Sequence, residues 1–245
     1  MMHFHRVGPQ QAGIPAEHPF LIRVAGQSGS GKSSQLSAAL NQVLKNLSFI
    51  KISVGAFASF HPFYDKWQKT EPDKMREKTN GFALRSLVLF YKYCLLHKVN
   101  VLLDMTLLEP EVDLYLMTLA KSMGYRIQTH VLCVPKKVSD HFIRCRQKAT
   151  GRCVWSSSSL YFFKALAPSL AGLLHSKTLG FGDRLILWSH SFGHPIKITH
   201  FSNVSAMKVL MRYRSKTNRR IYSPRKILKQ KIYWMNLLTE DIKNA

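Results

Sequence analysis

Phe20-Leu21-Ile22-Arg23-Val24-Ala25-Gly26-Gln27-Ser28-Gly29-Ser30-Gly31-Lys32-Ser33 is the stretch that decides the fold of this 245-residue chain. An apolar run leads into a complete G-x-x-x-x-G-K-[ST] phosphate loop, and Gln35 to Leu40 continues it with helix-forming residues. Glycines 26, 29 and 31 let the backbone fold around an anion, with N–H groups and the next helix's N-terminus aimed at phosphate oxygens. Lys32 is placed to reach the β/γ-phosphates, and Ser33 to give its hydroxyl to Mg²⁺ as the metal-ligating side chain. The expected nucleotide-binding set is Gly26, Gln27, Ser28, Gly29, Ser30, Gly31, Lys32, Ser33 and Ser34, with ATP and Mg²⁺ as the ligands. The alternative is a glycine-rich turn that merely caps a helix. A strand run before the loop and a helix run after it favour the phosphate site.

Outward from the loop, short runs rich in β-branched residues predict strands at Phe20–Ala25, Ser48–Val54, Val99–Asp104 and Arg126–Val134, with a terminal hairpin from Leu185–Trp188 and Ile196–Thr199. Helices are expected over Lys32–Lys45, Pro72–His97, Pro110–Met123, Lys137–Lys148 and Leu160–Leu174, Pro110 falling in a first turn where proline is tolerated. This alternation predicts an α/β fold, a P-loop NTPase-type parallel sheet flanked by helices, with a basic helical C-terminal extension. Ligands bind at the carboxyl ends of such strands, where Gly26, Val54 and Asp104 fall. The expected organisation is a flexible lead-in over 1–17, a kinase-like domain over 18–201 and the extension over 202–245. The apolar residues Ile227, Leu228, Ile232, Trp234, Leu237 and Leu238 give that extension an amphipathic character, read as packing ahead of membrane or nucleic-acid docking.

With 46% hydrophobic residues the chain is far from a disordered composition. Its most apolar stretch, Leu87 to Leu96, is broken by Lys92, so no transmembrane helix is expected, and the polar, proline-containing start does not read as a signal peptide. Cys94, Cys133, Cys145 and Cys153 show no metal or redox spacing and are expected to be reduced, mostly buried thiols of a cytoplasmic protein. The 36 Lys and Arg outnumber the 13 Asp and Glu for a net charge of +23, a field that attracts polyanions. Eleven of those bases lie beyond Phe201, against only Glu240 and Asp241.

From the loop onward the landmarks resemble the zeta-toxin family of P-loop kinases. The resemblance covers about residues 19 to 200 and rests on Gly26–Ser33, Phe57 with His61-Pro62-Phe63-Tyr64-Asp65, Val101-Leu102-Leu103-Asp104-Met105-Thr106, Gly124-Tyr125, Val134-Pro135, Ile143 to Arg152, and Leu179-Gly180-Phe181. It implies ATP-dependent phosphorylation of a nucleotide sugar, UDP-N-acetylglucosamine or a related small molecule, with an antitoxin as protein partner. Lys32, Asp104, Arg152 and Arg146 are the catalytic residues it implies, Arg144 being the alternative to Arg146. The family's base, an aspartate ending the second strand, falls on Gly55, and its Glu-Gly-Thr motif is Asp104-Met105-Thr106 here. Asp65 and His61 are the other candidates for a substrate-facing base, Asp65 only if its loop folds back, with His61 and Pro62 read as shaping the loop.

Two other readings stay open. Gly55 favours a member that binds nucleotide without turning it over. The charge, with Tyr213, Tyr222, Tyr233 and Trp234 among the basic residues, favours a nucleic-acid-directed P-loop protein, although no RNA-binding signature is present.

Overall fold

The computed structural model describes residues 15–36, 40, 48–72, 74–106, 110–150, 166, 184–189 and 196–200. Six strands, β1 (Phe20–Gly26), β2 (Ile50–Ser53), β3 (Val101–Asp104), β4 (Arg126–Leu132), β5 (Arg184–Ser189) and β6 (Ile196–His200), form one sheet in the order β2-β3-β1-β4-β5-β6. The first five run parallel, and β6 closes the edge antiparallel to β5 as the expected hairpin does. Described helices are α1 (Val54–Ala58), α2 (Tyr64–Thr70), α3 (Met75–Leu96), α4 (Pro110–Ser122) and α5 (Lys136–Thr150). The expected α/β parallel sheet is therefore the fold, with each strand within a few residues of its expected limits.

β1 sits in the middle because it can bury both faces. Leu21 and Ala25 join one core with Ile52, Leu87, Leu103, Leu116 and Ile127, whereas Ile22 and Val24 join another with Leu36, Leu102, Leu132 and Val138. Side chains alternate across a strand, so α3 and α4 cover one face while the phosphate loop's helix and α5 cover the other. Burying each of the leucine, isoleucine and valine side chains among these contributes about 1.5–3 kcal/mol. Arg23 shares the Leu21 face and is buried there in an ion pair with Asp113 of α4.

The helical expectations need three corrections. The helix expected over Pro72–His97 begins at Met75, and two short helices, α1 and α2, precede it where none was expected. Five and seven residues are too short to display a helical period, and α1 depends on Ser53, whose hydroxyl accepts from the Ala56 N–H at 3.3 Å as an N-cap. Of the helix expected over Lys32–Lys45, Lys32–Leu36 and the buried, helical Leu40 are described, and it starts as a widened turn in which the Leu36 N–H donates to the Gly31 carbonyl at 3.2 Å. Cys145 is exposed, not buried, whereas Cys94 and Cys133 are buried. The lead-in up to 14, the helix expected at Leu160–Leu174 apart from buried Leu166, Cys153 and the basic extension all lie outside the described residues.

Candidate nucleotide-binding site

The phosphate loop leaves β1 at its carboxyl end, and backbone geometry explains its glycines. Gly26, Gly29 and Gly31 have φ of 144°, 74° and 91°, a region that side chains rarely adopt. A Cβ on Gly26 would lie 2.5 Å from the Leu132 carbonyl oxygen, and one on Gly29 would lie 2.4 Å from that of Ser139. Lys32 is buried, and its ammonium donates to the carbonyls of Gly26 at 2.9 Å and Gln27 at 3.0 Å, folding the side chain back over its own loop.

Register brings the strand-end acid to this loop. Asp104 is the last residue of β3, level with Val24 of β1 and Ser53 of β2. Its even-numbered position puts it on the phosphate-loop face with Leu102, where its Oδ2 accepts the Ser33 hydroxyl at 2.5 Å. A hydroxyl and a carboxylate are hard oxygen donors, which fits a magnesium ion that keeps most of its shell as water and phosphate oxygen. No cluster of three His, Cys, Asp or Glu suited to a metal occurs among the described residues.

A cavity of about 650 Å³ opens over the loop. Its charged lining residues are Lys32, Arg76, Asp104, Asp113 and Arg146, and Gly55, Met105 and Thr106 also border it. Burial is the main reason the Lys32 ammonium is pushed down to about 8; Asp104 pulls it up, and Arg146 and Arg76 push it down further. Burial likewise pushes the Asp113 carboxyl up to about 6 against the opposing effect of Arg23.

The structure thus brings together Gly26–Ser33, Asp104 and Arg146. Arg146 lines the cavity from α5, whereas Arg144 is exposed and does not line it. The Ser34 side chain and Arg152 lie outside the description. Gly55, second residue of α1, presents no side chain to the cavity. Asp65 is exposed on the first turn of α2 and does not line it either. His61 is held among rings, 4.8 Å from Trp67 and 5.1 Å from Phe82 between centroids, and its Nδ1 accepts the Phe63 N–H at 3.2 Å. Sequence reasoning missed Arg76, Thr79 and Asn80 of α3 and Asp113 of α4. A signal existed for the first three, because Arg76, Thr79, Asn80 and Ala83 are spaced to share one helical face.

A parallel sheet with a glycine-lined anion loop, a buried lysine and a serine bonded to a strand-end carboxylate defines a P-loop nucleotide-binding fold. The zeta-toxin profile matches residues 7–180, and the chain belongs to that family. Among solved structures it is similar to a chain of the PezAT chromosomal toxin–antitoxin system of Streptococcus pneumoniae, at 18% identity and TM-score 0.69, covering 94% of this chain and 91% of that one. A candidate kinase from Chloroflexus aurantiacus j-10-fl matches at 15% identity and TM-score 0.53, covering 80% and 99%. A chain of the AvrRxo1-ORF1:-ORF2 structure with ATP matches at 11% and TM-score 0.52, covering 84% and 66%. No curated protein matches the chain. Among the described residues no helix is long and apolar enough to cross a membrane.

Proposed function

We propose that this protein is an ATP-dependent kinase that transfers the γ-phosphoryl group to a hydroxyl of a nucleotide sugar or a related small molecule. The observation that carries the reading is convergence: Lys32, the Ser33–Asp104 pair and Arg146 reach one cavity from the loop, β3 and α5. Family membership, and a similar fold solved with ATP, support the choice of nucleotide.

In this reading the loop N–H groups and Lys32 hold the β- and γ-phosphates, Lys32 leaving its loop carbonyls to do so. Ser33 and Asp104 hold Mg²⁺, which when bound neutralises charge on the phosphate oxygens. Arg146, with Arg152 as the second arginine that the family resemblance implies, faces the transferring group. Phosphoryl transfer asks mainly for positioning and charge neutralisation, so this chain retains most of the requirement. What it lacks is a carboxylate at Gly55 to take the acceptor's proton, a role that contributes roughly 10²–10⁴-fold. An antitoxin is the protein partner that membership of this family suggests.

The test is ATP consumption with and without UDP-N-acetylglucosamine, run beside Lys32→Ala and Gly55→Asp. Turnover that depends on acceptor, vanishes in Lys32→Ala and rises by about 10²-fold or more in Gly55→Asp is the expected result. A protein that neither binds nor turns over any nucleoside triphosphate refutes the reading. Gly55 also favours a second reading, a binding module, whose signature is nucleotide binding with no turnover on any acceptor.

A further inference from the structure

Gln27 makes contacts that phosphate binding does not require. Its side chain is buried and turns away from the cavity, and its Nε2 donates both hydrogens: to the Val134 carbonyl at 2.6 Å and to the Ser139 hydroxyl at 2.9 Å. Because a carbonyl can only accept, the amide's orientation is fixed, and its Oε1 finds no donor among the described residues. One side chain therefore joins the phosphate loop to the chain leaving β4 and to the first turn of α5.

A second observation comes from Gly29, two residues on. A Cβ there would come within 2.4 Å of the Ser139 carbonyl oxygen and 2.7 Å of the Ile143 side chain, so the loop presses on α5 backbone to side chain. Ser139, Phe142, Ile143 and Arg146 are spaced i, i+3, i+4 and i+7 and share one face of that helix. The face pinned to the loop by Gln27 and Gly29 is thus the one that carries Arg146 into the cavity two turns later.

We infer that Gln27 is a positioning residue that fixes α5 on the phosphate loop and so sets Arg146 over loop-bound phosphate. The inference rests on the nucleotide-binding reading above. It makes the arginine's contribution conditional on an amide that never touches nucleotide. Removing Gln27's amide takes away the two directional contacts it makes from the loop, to the chain leaving β4 and to the first turn of α5, whereas apolar contact such as that with Ile143 is non-directional.

The test is a double-mutant cycle on the full chain, with the affinity of the β,γ-imido analogue of ATP and Mg²⁺ measured by titration calorimetry. The variants are Gln27→Met, which keeps length and removes both donors, Arg146→Gln, and the two combined. Arg146→Gln is expected to weaken binding about tenfold in the wild-type background and less than about threefold in the Gln27→Met background. An equal loss in both backgrounds overturns the inference and leaves the nucleotide-binding reading standing. A wild-type chain that binds no analogue overturns both. Should Gln27→Met fail to fold, Ser139→Ala takes its place in the cycle, removing one of the two bonds. The loss caused by Arg146→Gln is then expected to fall between those two values, and an unchanged loss overturns the inference.

Discussion

Lys32 illustrates how a single residue ties folding to ligand chemistry. Its proton leaves the ligand-free site as pH rises through about 8, because burial disfavours the ammonium. Phosphate favours the charged form, so binding takes up a proton near and above that pH, and affinity falls as pH rises further. Calorimetry at pH about 8.5 in buffers of different ionisation enthalpy should show this uptake, and Lys32→Met should abolish it together with most of the affinity. Gly29 supplies a second residue-scale expectation. Gly29→Ala meets both a left-handed φ and the Ser139 carbonyl, so it should weaken nucleotide binding at least tenfold by displacing α5 from the loop, with a lowered melting temperature as the accompanying sign. These residues were legible in the sequence because spacing in a loop is local. For Arg76 the sequence shows only a shared helical face and for Asp113 not even that, since each is carried to the cavity by a helix whose place on the sheet is a tertiary fact.

Among elements, α4 is anchored to β1 by more than apolar packing. The Arg23–Asp113 ion pair is buried on both sides, its two side chains only 1% and 2% exposed, with the Met117 sulfur accepting from Arg23 at 3.9 Å and Tyr91 of α3 donating to the Leu116 carbonyl at 2.9 Å nearby. Asp113→Ala leaves a buried guanidinium without its counter-charge and should lower unfolding free energy by about 3–5 kcal/mol in urea denaturation. Replacing both partners, as in Arg23→Met with Asp113→Leu, should recover most of that loss, since the desolvation of two charges disappears with the pair. The strands were readable because each is an apolar, β-branched-rich run flanked by turn residues, and the long helices because each exceeds ten residues. α1 and α2 were not, for their existence depends on a Ser53 cap and on packing against α3.

At the scale of the molecule, the net charge of +23 makes nonspecific polyanion binding an expected property, whatever the reaction. Fluorescence polarisation of a labelled oligonucleotide should show affinity falling by about 10³-fold or more between 50 and 200 mM salt. Binding that is absent, or that persists unchanged across that range, would instead remove the nucleic-acid-directed reading. The alternation of strands and helices made a parallel sheet legible, but strand order was not, because it is set by which helix covers which face. That order has a consequence for synthesis on the ribosome. β1 is central, yet its neighbours are β3, about 80 residues downstream, and β4, which comes later still. At 5–20 residues per second of translation, β1 waits roughly 4–16 s for its first partner. During that interval its only company is the chain already emerged, so the nascent protein carries an apolar strand with both edges open.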